Sequence, residues 1–185
     1  LPFLSHFARL LERIFKEDTS VISRYIRTVP AGELEESVMA LEAETKHLFH
    51  RVFQLNLRCF DVSTDAMKKI AAVGAFSDNR PEKSSVGPYF SEGYEGVKQL
   101  EGEIIEFAYL VLKEGIDVTL SARIEQLLET VRDTAYAAKE IKDIRQDLEY
   151  IRQSENVFLY QINEQLTSQA AQFYMEASDL FNPHN

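Results

Sequence analysis

Glu140, Asp143 and Asp147 recur at intervals of three and four in a stretch of helical periodicity, which sets three carboxylates along one side of a helix. Oxygen ligands so placed can hold a hard divalent cation such as Mg²⁺ or Ca²⁺. Asp133 extends the row upstream. Lys139, Lys142 and Arg145 interleave with it, so the same carboxylates can instead form surface ion pairs worth little. A solvated acidic face is the favoured reading, and a divalent metal ion at Glu140, Asp143 and Asp147 is the one cofactor that these residues offer as the alternative.

Other chemistry is sparse. Glu44-Thr-Lys-His47 has the Glu-x-x-His spacing of di-metal helical bundles, with His50 a turn further on. Such sites need a second copy of the motif, and the chain has none, which favours a solvated or bundle-rim His47 over a ligand. The single Cys59 sits at an apolar seam position, where a structural thiol is expected rather than a nucleophile. No phosphate-cradling glycine loop or Gly-x-Ser-x-Gly elbow is present, and no catalytic residue is expected.

The element carrying the acidic row must be a long helix over Thr119–Ile151. Ile124, Leu128, Val131, Ala135, Ala138, Ile141, Ile144, Leu148 and Ile151 form its apolar stripe, and Thr119 or Ser121 can cap it. Three more helices are predicted. One covers about Glu33 to Cys59, with Leu34, Val38, Leu41, Thr45, Leu48, Val52, Leu55 and Cys59 as its seam and Glu33, Glu35 and Glu36 at the positive end of its dipole. Another covers about Gly93 to Glu114 and stops at Gly115. After a break near Ser154, Phe158, Leu159, Ile162, Leu166, Phe173, Ala177 and Leu180 mark the last. Between the first two predicted helices, Ser63–Val73 suits a short helix, and Gly74 to Glu92 reads as the one long irregular loop.

Composition agrees with one all-α unit. The 185 residues are 45% hydrophobic with only 7 Gly and 5 Pro, few for the turns of a sandwich or barrel. One cysteine allows no internal disulfide, which fits a reducing compartment. The net charge of −10 opposes a phosphate backbone, and nucleic acid is not an expected partner.

The charge is uneven. Residues 1–30 carry a balance of +2, leaving −12 on the rest. Within LPFLSHFARLLERIFK, the apolar Leu4, Phe7, Leu11, Ile14 and Phe15 share one face while Arg9, Arg13 and Lys16 share another, a short basic amphipathic helix. It can pack on the bundle or lie at an anionic membrane surface, and both readings stay open. The segment is too charged for a signal-peptide core, and no apolar run approaches the roughly 20 residues of a membrane span. A chain beginning at Leu1 is expected to be processed or excised from a longer one. Residues 1–30 are accordingly set apart as a membrane-proximal or linker segment, and 31–185 as the bundle domain.

Four segments in this order carry a family resemblance: SRYIRTVP from Ser23, LEAETKHLFHRVFQLNLRCF from Leu41, GYEGVKQLEGEIIEFAYLVL from Gly93, and LSARIEQLLETVRDTAYAAKEIKDIRQDLEYI from Leu120. Together they resemble the PhoU-like regulatory domain at the cytoplasmic end of bacterial Na⁺/phosphate cotransporters. The resemblance implies a PhoU-like antiparallel helical bundle, not an enzyme, at the cytoplasmic face of the inner membrane. It would modulate phosphate uptake through a membrane-embedded transporter portion, with residues 1–30 following the last span. Excess Lys and Arg there is the cytoplasmic-side bias. A free-standing PhoU-like phosphate-signalling adaptor that binds divalent metal and partner proteins is the alternative, and a second copy of the chain is a further candidate partner. The family's Glu-x-x-x-Asp metal marker is met by Asp143, but Lys139 stands where its Glu would be and Glu140 falls one residue late.

Overall fold

Four α-helices and no strand make up the residues that the computed structural model describes, which are 22–60, 62 and 86–180. They are α1 (Leu34–Cys59), α2 (Val86–Leu112), α3 (Val118–Gln153) and α4 (Val157–Leu180), with a single 3-10 turn ahead of them at Ile26–Thr28. The described residues are therefore all-helical, as the spacing predicts. Among the described residues, no helix is long and apolar enough to cross a membrane. The amphipathic segment within residues 1–21 and the short helix expected at Ser63–Val73 lie outside the described residues.

In α1 the expected seam is the buried face: Val38, Leu41, Thr45, Leu48, Val52, Leu55 and Cys59 all point inward. Glu35 and Glu36 occupy its first turn, where carboxylates favour the positive end of the helix dipole. α2 begins at Val86, seven residues before the Gly93 start read from the sequence, so the loop read as running to Glu92 ends earlier. By composition the Gly87-Pro88 pair suits a loop, yet it lies in the first helical turn, where a missing N–H costs no intrahelical bond. The buried Phe90, two turns ahead of Val97, anchors this extra length. Gly115, at φ +75°, ends the helix as expected, because the left-handed region is open to glycine.

The cap of α3 is neither Thr119 nor Ser121 but Asp117, whose Oδ1 accepts from the Thr119 N–H at 2.7 Å and the Leu120 N–H at 3.0 Å. Ile124, Leu128, Val131, Ala135, Ala138, Ile141 and Leu148 are buried as predicted, while Ile144 is 41% exposed. A straight helix of 3.6 residues per turn drifts against a three-four pattern, and over this length Ile144 falls off the buried stripe. In α4 the assignment of faces changes more. Ala170 and Tyr174 are the buried positions, whereas Phe158 and Phe173 are 68% and 62% exposed.

Short turns at 113–117 and 154–156 make α2 antiparallel to α3, and α3 antiparallel to α4. Arg123, near the start of α3, pairs with Glu42 of α1, and Cys59 at the end of α1 feels the charges of Arg145, Glu149 and Arg152, so α1 and α3 run the same way. These three helices close a main core in which Leu48, Leu100, Val111, Ile124 and Val131 are wholly shielded from solvent. A Cβ on Gly93 would sit 2.7 Å from Leu55 Cδ1, so this glycine lets α2 lie close on α1. α4 adds a second, smaller core of Phe53, Leu57, Val62, Ala170 and Tyr174. It is docked on α1 by two polar links, Asn56 Nδ2 donating to the Tyr174 hydroxyl at 2.8 Å and Thr167 Oγ1 donating to the Phe60 carbonyl at 2.7 Å.

Candidate functional site

A carboxylate on the buried face of a helix must be partnered, because desolvating an unpaired charge is prohibitive. Glu44 is such a group: it lies one turn from Leu41 and Leu48 and is fully shielded from solvent. Its Oε2 accepts from the backbone N–H groups of Arg24, Tyr25 and Ile26 at 2.8, 2.6 and 3.3 Å, and its Oε1 bonds His47 Nδ1 at 2.7 Å. Burial alone would raise this carboxyl; the His47 bond and the Tyr25, Arg24 and Ile26 amides outweigh it and hold it below the usual range.

Glu103 of α2 repeats the arrangement a few residues upstream. It accepts from the Ile22 and Ser23 N–H groups at 3.2 and 2.8 Å and from Gln99 Nε2 at 2.9 Å. Burial again opposes ionisation, and the Ser23, Ile22 and Gln99 bonds again win, leaving the carboxyl low. Residues 22–26 are thus strapped into the α1–α2 groove by a carboxylate from each helix. Ile26 enters the main core, and Ser37 Oγ donates to the Pro30 carbonyl at 3.0 Å. The strap runs antiparallel to α1, since Ile22 lies at the level of Arg51, Tyr25 at Glu44 and Pro30 at Ser37.

Neither carboxylate was singled out as a tether by its spacing. Glu44 is half of a Glu-x-x-His motif, and Glu103 stands in no motif. The signal for Glu44 was its place among Leu41, Thr45 and Leu48; what it binds, the backbone of a segment some 20 residues away, has no sequence signature. His47 is mostly covered, and its Nδ1 bonds Glu44. His50 is pushed down to about 4, by burial first and then by Lys46 and His47, so its imidazole is neutral at pH 7. Cys59 is buried and its thiol pushed up to about 12, chiefly by that burial. A group so placed is not a nucleophile.

The acidic row lies elsewhere. Glu140, Asp143 and Asp147 are all exposed on α3. Lys139 Nζ donates to Asp143 Oδ2 at 3.2 Å, and Glu140 bonds the Tyr136 hydroxyl and raises that phenol. Among the described residues, no group of three or more His, Cys, Asp and Glu side chains gathers to hold a metal ion. Asp143 also borders a shallow groove of about 330 Å³ between α2 and α3, lined by Phe90, Ser91, Tyr94, Glu95, Lys142, Arg145 and Gln146. There Lys142 stands 4.7 Å over the Tyr94 ring and Arg145 5.8 Å over Phe90.

A cation at Asp143 would therefore meet Lys139, Lys142 and Arg145 nearby, and this sets a test. Calorimetry with Mg²⁺, Mn²⁺ and Zn²⁺ should reveal no tight stoichiometric site. Lys139→Glu removes the ammonium group paired with Asp143 and sets a carboxylate four residues before it, so divalent binding should strengthen. Unchanged heats in that variant would leave the row a solvated face. The chain matches no protein-family model, no curated protein and no solved structure, so the residues and the geometry described above carry its functional reading.

Proposed function

We propose that this chain is a regulatory or interaction module of phosphate transport, of the PhoU-like kind, acting from the cytoplasmic face of the inner membrane on a Na⁺/phosphate cotransporter. The observation that carries this reading is the strap. Residues 22–26 are fixed to α1 and α2 by Glu44 and Glu103, so displacement of the chain ahead of Ile22 is passed to the helices rather than absorbed by a loose linker. A regulatory domain needs such a joint, because it acts only through contacts that differ between states of its target. The basic amphipathic residues 4–16 precede the joint and supply chemistry for an anionic membrane surface. No catalytic step is assigned: the one thiol is buried, and both strap carboxylates are engaged by backbone N–H groups.

The exposed Phe158, Tyr160 and Phe173 on α4 favour a second reading, a free-standing PhoU-like phosphate-signalling adaptor that docks on partner proteins and binds divalent metal.

Co-sedimentation tests the membrane side of the proposal. The whole chain should associate with phosphatidylglycerol-containing vesicles, not with pure phosphatidylcholine, and association should weaken with salt. Each basic residue near such a surface contributes on the order of 1 kcal/mol, so changing Arg9, Arg13 and Lys16 together to Glu should cut association by on the order of a hundredfold or more. Equal and negligible association of both proteins with both vesicles would remove the membrane from this reading.

A further inference from the structure

The flank where α3 and α4 meet, on the side away from α1, is acidic and apolar at once. On α4, Thr167, Ala170, Ala171 and Tyr174 turn towards α1, and Leu166 towards the main core. At 100° per residue, Phe158 then falls opposite the α1-facing side and Phe173 about 110° round from it, just past Leu166; they are 68% and 62% exposed. On α3, Lys142 and Arg145 turn towards α2, which places Glu140, Ile144 and Asp147 at the other side, facing the same flank. No Lys or Arg occurs from Gln153 to the last residue, so nothing in α4 neutralises this surface.

We propose that this flank is the docking surface for the basic amphipathic segment Leu4–Lys16 of this protein. Its apolar face covers Ile144 and Phe158, both within about three turns of the α3–α4 turn, and its net positive charge lies in the field of Glu140 and Asp147. Charge, length and direction each support the match. The bundle domain carries −12 against +2 for residues 1–30, so the segment is drawn to this surface and not to a basic one. As a helix, residues 4–15 are about 17 Å long, which covers roughly three turns of α3 and α4. The strap runs antiparallel to α1, so the chain ahead of Ile22 heads for the bundle end that holds the α3–α4 turn. The link from Lys16 to Ile22 reaches at most about 21 Å, roughly two helix diameters.

One apolar face cannot be buried against a bilayer and against α3–α4 together. Docking therefore competes with membrane association. Only this competition rests on the membrane reading proposed above; the docking itself does not.

Thiol crosslinking in the full chain decides it, because the buried Cys59 is unreactive. Ala8→Cys flanks the apolar face of the segment and Gln165→Cys lies on the exposed side of α4, while Met39→Cys, at a site 68% exposed near the opposite end of the bundle, is the control. With a short bismaleimide, the 8–165 pair should crosslink roughly tenfold faster than the 8–39 pair, by effective concentration. Leu11→Glu with Ile14→Glu should bring the 8–165 rate down to the control rate. A crosslink within one chain or between two copies supports docking, since the occupant is the same segment. Equal rates for the two pairs overturn it, even if the segment binds anionic vesicles, and the membrane reading then stands alone. A fast 8–165 crosslink that anionic vesicles leave unchanged keeps the docking and removes the membrane reading.

Discussion

Replacing Glu44 by alanine should lower the stability of the bundle by about 3 kcal/mol, because three backbone N–H groups and the His47 ring lose a buried acceptor at once. For a chain of this size, that is a fall in melting temperature of roughly 6–12 °C. Amide exchange at Arg24, Tyr25 and Ile26 should accelerate together, since those N–H groups donate to one oxygen. Glu44→Gln keeps one acceptor and should cost about half as much. The pH dependence has a defined sign. The folded carboxyl lies below its ordinary value of 4.5, so its stabilisation is fully present above about pH 4.5 and is lost as pH falls through the lower folded value. The gap between Glu44→Ala and the unaltered protein should therefore close on the acid side. His50, held neutral with a value of about 4 against an ordinary 6.5, adds a loss of stability as pH falls from 6.5 towards 4, shared by both proteins. A gap that stays constant down to pH 2 would mean that Glu44 does not hold the strap as an anion.

Leu48→Ala and Phe158→Ala should differ sharply although both truncate large apolar side chains. Leu48 is wholly enclosed where α1 faces the main core, and its truncation should cost about 2–5 kcal/mol. Phe158 is 68% exposed on the bundle, and in the Leu11→Glu, Ile14→Glu background, where no segment docks on it, its truncation should stay within about 0.5 kcal/mol. Urea unfolding of the two variants measures the contrast. A comparable loss from Phe158→Ala would turn the aromatic edge of α4 inward and undo the assignment of its faces.

The same contrast shows where the sequence was readable. α1 could be read almost residue by residue, because it is enclosed on several sides and its seam from Val38 to Cys59 is unbroken. α4 could be located but not oriented. Its neighbours cover one narrow face, so small Ala170 and polar-tipped Tyr174 go inside while two phenylalanines stay out. Spacing counts apolar residues and does not say how many sides of a helix have a neighbour. The start of α2 was hidden by composition, since Gly87-Pro88 is as acceptable in a first helical turn as in a loop. At the candidate site the carboxylates that hold the strap were visible as residues but not as contacts: Glu103 reaches across 80 residues to Ser23, and no local pattern encodes such a partner. The acidic row, by contrast, was legible because it is local, and the structure sets it on an open face.

α3 runs 36 residues without a proline or glycine, so it has no hinge of its own along a length of about 54 Å. Such a rod converts angle into distance. A tilt of about 5° at the end held by Asp117 would carry the far tip, at the turn into α4, through about 5 Å, roughly the rise of one helical turn. The strap grips α1 at Glu44, two residues past the Glu42 that pairs with Arg123, so it lies near the Asp117 end of that rod and leaves the long arm towards the turn into α4.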